Sequence, residues 1–167
     1  MGNTQENLQQ AFAGESQANR RYLFFAGKAD KLGDSQIAKL FRAAAEAETV
    51  HARNHFQVLG ASKSNKENLE TAQAGEHYEF SQMYPGFLEI AKQENNKAAA
   101  NSFNLANQVE QIHHQLFGNA LDNLVSGKAS KDVPYYVCQV CGNTVEGEPP
   151  EKCPICNSPK SKFKRID

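Results

Sequence analysis

The first 137 residues of this 167-residue chain contain no cysteine, and all four cysteines fall between positions 138 and 156. Thiols crowded in this way read as metal ligands before disulfides, as expected in a reducing compartment. Residues 4 to 125 hold a single proline, Pro85, so long helices there meet only one break. An excess of either charge is also missing, with 18 Lys and Arg against 19 Asp and Glu. Nucleic acid and anionic membranes select a basic excess, so neither is expected as a partner. No apolar run approaches the roughly 18 residues of a membrane span. The polar start from Met1 to Gln10 lacks the apolar core of a secretory leader. A cytoplasmic protein is expected, with one ordinary domain and a small one.

Residues 4 to about 125 are rich in Ala, Gln, Glu, Asn and Leu, with apolar residues at helical spacing. Leu23, Phe24 and Phe25 belong to a first helix, and Ile37, Leu40 and Phe41 to a second. Phe80, Met83, Phe87 and Ile90 mark a third; Phe103, Leu105, Val109, Ile112 and Leu116 mark a fourth. Stops fall at Leu32-Gly33-Asp34, Leu59-Gly60-Ala61-Ser62, Glu94-Asn95-Asn96 and Ser126-Gly127. Four helices of about 25 residues predict a bundle, with Pro85 kinking or loosening the third. From Ser126 to Pro134 the composition turns to Gly, Ser, Lys and Asp, as in a linker. The expected domains are therefore 1–130 and 131–167. The second is too small to bury a sufficient core and needs a staple, which a metal would supply.

One pattern in the helical part occurs twice. Glu15 is followed 33 residues later by Glu48, which opens a Glu-x-x-His with His51. Glu76 is followed 34 residues later by Glu110, which opens another with His113. Residues three apart share a helix face, so each Glu-x-x-His can point into the bundle. A lone Glu-x-x-His is commonly a solvated helix face. Two of them, each preceded by a glutamate at nearly equal distance, describe four carboxylates and two imidazoles converging on a pair of iron ions. Without cations such carboxylates would be costly to bury or would take up protons. Glu79, one turn after Glu76, is a fifth carboxylate on that face. Its spacing fits an exposed glutamate as well as an extra, exchangeable ligand. His77 and His114 are rotated away by about 100° on an ideal helix and stay outside the predicted site, as does His55. Tyr22 and Tyr84 read either as packed core residues or as donors to ligand carboxylates.

In the tail, Cys138-x-x-Cys141 and Cys153-x-x-Cys156 can present four thiolates to one ion. Gly142, and Asn157 at the equivalent place, suit the positive φ that such a turn requires. Four sulfurs accept zinc or iron. A redox di-iron site in the same chain favours iron, as a one-electron relay. Tyr135, Tyr136 and Phe163 are expected to pack around the cysteines.

Several stretches together resemble the rubrerythrin family. They are Ala13-Gly14-Glu15-Ser16-Gln17-Ala18, Glu48-Thr49-Val50-His51, Gly75-Glu76-His77-Tyr78-Glu79, Met83-Tyr84-Pro85 and Val109-Glu110-Gln111-Ile112-His113. The tail segment Gly147-Glu148-Pro149-Pro150-Glu151-Lys152-Cys153-Pro154 is similar to that family's rubredoxin-like domain, with Asn157 in place of an expected glycine. The resemblance covers essentially the whole chain. It implies an all-α, four-helix ferritin-like bundle followed by a small rubredoxin-like β/loop domain. The implied activity is reduction of hydrogen peroxide to water in oxidative-stress defence. Electrons would come indirectly from NAD(P)H through a small redox protein or reductase and enter at the four-cysteine iron. Glu15, Glu48, His51, Glu76, Glu79, Glu110 and His113 would hold two irons, one of them moving between His51 and Glu79. The resemblance also implies a head-to-tail homodimer, in which one subunit's cysteine site approaches the other's di-iron site. The alternatives are a ferroxidase or oxidase using O₂, and a metal-storage or zinc-ribbon interaction protein.

The usual ferritin-like order requires the chain to run back along the bundle between its second and third helices. About eight residues, Gly60 to Glu67, are free for this crossing unless part of Asn68 to Ala74 is extended or separately helical, and they reach at most about 28 Å. Exchange of helix pairs between two subunits would relieve it.

Overall fold

The computed structural model describes residues 2–129 and 132–166. Five α-helices precede three short strands: α1 (Thr4–Leu32), α2 (Ser35–Val58), α3 (Asn65–Tyr78), α4 (Tyr84–Gln93), α5 (Lys97–Val125), β1 (Tyr135–Cys138), β2 (Thr144–Glu146) and β3 (Phe163–Ile166). A π-helical turn, Glu79–Met83, joins α3 to α4, so the predicted third helix is one helical run with an irregular middle. The 130/131 boundary falls outside the described residues. Contacts group the residues into a unit up to Lys63 and a unit from Ser64 onward.

The first unit is the α1–α2 hairpin. Asn3 caps α1 and forms a capping box with Glu6, satisfying two of the open backbone donors at the helix start. Gly33 ends α1 at φ 83°, a left-handed conformation that glycine adopts without strain. Phe12 stacks near Phe56 at 5.0 Å, and Phe41 meets Phe25 at 5.4 Å. Asn19 donates to the Ala45 carbonyl at 2.7 Å and to the Thr49 hydroxyl at 2.9 Å. The fully buried helix residues here are small, namely Ala26, Ala29, Ala38 and Ala45, while Phe24, Leu32, Leu40 and Val58 stay 64–72 % exposed.

The second unit opens in the same way, with Ser64 capping α3 in a box with Glu67. α3 therefore begins at Asn65 and takes in the segment expected to be partly free. The α2–α3 connection shrinks from eight residues to the six of Leu59–Ser64. The turns that close the two hairpins are copies of each other. Asp34 N–H bonds the Ala29 carbonyl and Asn96 N–H bonds the Ala91 carbonyl, with Gly33 and Asn95 at positive φ. These pairs differ by 62 in number, whereas Asn3 and Ser64, or Glu15 and Glu76, differ by 61. One residue has entered the second hairpin between Glu76 and Ala91, where the π turn lies. Tyr84 N–H bonds Glu79 five residues back, which absorbs the extra residue just before Pro85, whose ring nitrogen cannot donate.

The strands form one antiparallel sheet in the order β2-β1-β3, with Tyr136 opposite Val145 and Arg165. Its most buried side chains are Asn143, Cys138 and Cys153. A domain whose core is its own cysteines depends on whatever they bind.

Candidate metal centres

Glu15, Glu48 and His51 bring one ligand atom each within 4.8 Å of one another, and so do Glu76, Glu110 and His113. The geometry repeats as the sequence does. His51 Nδ1 lies 2.9 Å from Glu48 and 4.0 Å from Glu15; His113 Nδ1 lies 2.7 Å from Glu110 and 3.8 Å from Glu76. Each triad directs one imidazole nitrogen and two carboxylates to one point, a donor set of the kind that holds iron.

The second triad is the more enclosed, with the His113 side chain 27 % exposed against 54 % for His51. Burial, reinforced by the charge of Glu110, raises Glu76 to about 7. Glu79, half-buried at the head of the π turn, stays outside the tight triad. It is raised first by burial and then by the charge of Glu110, so it belongs to the same carboxylate field. The hydrogen bond that His113 donates to Glu110 raises the histidine's pKa. Tyr84 is raised by burial and by Glu110, Glu79 and Glu76, which keeps its phenol neutral beside the carboxylates. Its ring packs on Phe87 and Phe103, and that of Tyr22 on Phe25 and Phe41. Crowded acids that retain protons are what a carboxylate metal site looks like without its cation charge.

A partner of His113 escaped the sequence reading. Thr144, the first residue of β2, places its hydroxyl 2.9 Å from His113 Nε2 and also 3.2 Å from the Gly142 carbonyl. The hydroxyl donates to the carbonyl and accepts from Nε2–H, which leaves Nδ1 directed at the carboxylates. No spacing signals this contact, because Thr144 lies 31 residues from His113 on a strand. A Cβ on Gly142 would stand 3.8 Å from Val109 of α5, so the cysteine loop packs beside the same helix. A cavity of about 470 Å³ opens here, lined by Glu76, His113, Tyr135 and Thr144 among others. Tyr135, expected around the sulfurs, is 40 % exposed and lines this cavity. His77 and His114 pack against each other and Phe80. His114 Nδ1–H donates to the Gln73 carbonyl.

All four cysteines converge. Cys138 and Cys156 sulfurs are 3.7 Å apart, and those of Cys141 and Cys153 3.6 Å. A tetrahedral site with metal–sulfur bonds of about 2.3 Å has edges of about 3.8 Å, so the cage fits one ion. Two matching turns build it. Gly142 N–H bonds the Cys138 carbonyl and Asn157 N–H the Cys153 carbonyl, with φ of 86° and 59°. Asn143 donates to Cys153 Sγ at 3.6 Å. Burial pushes Cys141 up, and neighbouring thiols add to it. At Cys156 burial acts the same way but is outweighed by hydrogen bonds from Ser158, which bring the thiol to about 6.

The helical part matches the family model described as Rubrerythrin over residues 6–121, and the tail matches "Rubrerythrin, rubredoxin-like domain" over residues 136–164. The chain is 40 % identical to rubrerythrin-2 of Clostridium acetobutylicum, covering 96 % of this chain and 95 % of that one. It is 35 % identical to nigerythrin of Nitratidesulfovibrio vulgaris, covering 98 % and 86 %. A solved nigerythrin structure described as mixed valence superposes with a TM-score of 0.60 at 35 % identity, over 99 % of this chain and 88 % of that one. Another was solved in a fully reduced state described as all ferrous.

Proposed function

Because the chain belongs to the rubrerythrin family, we propose that it is a non-haem di-iron peroxidase that reduces hydrogen peroxide to water. The two triads, with Glu79, hold two irons, and Cys138, Cys141, Cys153 and Cys156 hold a third. The chain works as two functional domains, the helical part to about residue 130 and the cysteine domain beyond it. Iron supplies the redox chemistry, H₂O₂ + 2 e⁻ + 2 H⁺ giving two waters, with electrons returned one at a time from the cysteine site. Electrons reach that site indirectly from NAD(P)H, through a small redox protein or reductase. The four thiols, with no disulfide among the described residues, suit a reducing cytoplasm.

The observation that carries this reading is Glu79. The π turn gives the second hairpin a half-buried fifth carboxylate in the field of Glu110, and a minimal di-iron site has no use for it. His113 is held from outside by Thr144. Among the described residues, no hydrogen bond reaches Nε2 of the more exposed His51. His51 is therefore the histidine free to exchange with Glu79, and His113 the fixed one. The link from Cys141 through Gly142 and Thr144 to His113 favours electron entry from the cysteine site. A homodimer brings these parts together.

The test is anaerobic purification, iron and zinc counts, a visible spectrum, and reoxidation by peroxide and by O₂. Reoxidation faster with peroxide is expected. Faster reoxidation by O₂ would make the protein an oxidase, and a colourless zinc protein without iron would end both enzyme readings. Cys138→Ser should spare a single reoxidation by peroxide and abolish re-reduction; unchanged turnover would remove the relay.

A further inference from the structure

We propose that Asn143 and Ser158 are positioning residues of the four-cysteine site, whose side-chain hydrogen bonds to sulfur raise the reduction potential of its iron. They thereby set the driving force of the relay. This rests on the reading above that the cage holds a redox-active iron.

The two residues occupy matching places. Asn143 follows Cys141 by two residues and Ser158 follows Cys156 by two, so each leaves its cysteine turn at the same step. Both return a polar side chain to the cage. The Asn143 amide donates through Nδ2 to Cys153 Sγ at 3.6 Å. The Ser158 hydroxyl lies 3.2 Å from Cys156 Sγ. The ligand form of cysteine is the thiolate, which has no proton to give. Both bonds therefore run toward sulfur, and the orientation of the amide is fixed. Among the described residues, Cys138 and Cys141 meet only the other cysteines in this way.

Asn143 is the stronger of the pair. It is 1 % exposed, the largest fully buried side chain among the described residues. It belongs to the first cysteine turn but bonds a sulfur of the second, Cys153, which is itself fully buried. Burying an amide costs free energy unless it finds a partner, and the partner here is a metal ligand. Packing alone gives no reason for an amide in this place, since a leucine would fill similar space. Ser158 instead bonds the half-buried Cys156, where water can replace a lost hydroxyl.

Charge fixes the sign of the effect. Reduction adds one negative charge to a cage that four thiolates already make anionic. A donor aimed at sulfur is held more tightly by the more negative ferrous state, so it favours reduction. A dry surrounding strengthens the bond. The next residue, Thr144, faces His113. Neighbouring side chains thus adjust the cysteine site and connect it to the second triad.

Redox titration of the iron-loaded, full-length protein tests this, with the visible absorption of the ferric cysteine site as the signal. Asn143→Leu is expected to lower the ferrous-to-ferric ratio at a fixed potential about tenfold, which for a one-electron couple is about 59 mV. Ser158→Ala should move it in the same direction by less, about threefold. Asn143→Ala repeats the test if the leucine variant fails to fold, and Ser158→Ala decides the sign if neither retains iron. An unmoved or raised potential in variants that keep their iron would overturn the proposal, because a residue needed only for packing alters iron retention and leaves the couple in place. A wild-type cage with no reversible couple after iron loading would overturn the iron reading, and the proposal with it.

Discussion

Glu15 stands twelve residues after the capping residue Asn3, and Glu48 fourteen after Asp34; in the second hairpin Glu76 stands twelve after Ser64, and Glu110 fourteen after Asn96. The metal-facing positions are thus set at the same helical phase from the same four caps. What surrounds them differs. The second hairpin has an inserted residue, a π turn, Glu79 and a strand that reaches His113, whereas the first has Ala18 where Glu79 would stand. A duplicated unit has kept its ligand geometry and become asymmetric in the groups that tune it. One residue inserted into a helix rotates everything after it by about 100°. A π turn confines that rotation, so α4 keeps its phase beyond the turn, with Glu79 at the turn's head.

This comparison can be broken most directly at the two histidines. His113→Ala should lower peroxide turnover by more than the roughly 100-fold at the upper end for an outer partner of a metal site, and His51→Ala by less, since Glu79 can stand in. Equal losses in steady-state kinetics would mean that the halves are functionally alike. Next in size is Thr144→Val, which removes the outer partner of His113. A loss of about tenfold in ferrous affinity at the second half-site is expected, read by metal titration as well as by turnover. An unchanged affinity would reduce the contact to packing.

The pH dependence of the metal-free protein gives a third, smaller effect. Glu76 is raised from 4.5 to about 7, so in this window the folded state holds a proton that the unfolded chain has released. Its contribution to stability is greatest below about 4.5 and is lost as pH rises through about 7. The raised His113 has the same sign. Thermal melts should therefore fall between pH 5 and pH 8 more in the wild type than in Glu76→Gln. An identical slope would place the titration elsewhere. Smallest of all, Ser64→Ala should cost about 1 kcal/mol through the lost cap, seen as faster amide exchange in the first turn of α3. No change there would show that α3 is held by its packing and that the link to α2 could lengthen.

The two clusters of glutamates and a histidine were legible in the sequence because helical periodicity converts spacing into a shared face. Glu48 with His51, and Glu110 with His113, needed only the i, i+3 rule. The cysteine turns were equally legible, since Gly142 and Asn157 carry the backbone requirement in their side chains, or in the lack of one. The helix stops at Gly33, Gly60, Asn95 and Gly127 were also readable, and all four residues have positive φ. Spacing could not show how the second hairpin accommodates its extra residue. The counts of 33 and 34 could equally have reflected a longer turn, and only the backbone hydrogen bonds place the insertion at Glu79–Met83.

The Glu-x-x-His pairs, the four-cysteine cage and the helix caps therefore follow from the chain itself, because each depends on neighbours within a turn or two of helix or loop. Three features were decided by tertiary structure: Thr144 behind His113, the upward shift of Glu76, and the early start of α3 that shortens the link to six residues. Each depends on groups distant in sequence or on burial, and local propensity carries no information about either. The asymmetry between the two half-sites is of this second kind. It arises where a strand and a helix that share no periodicity come within hydrogen-bonding distance.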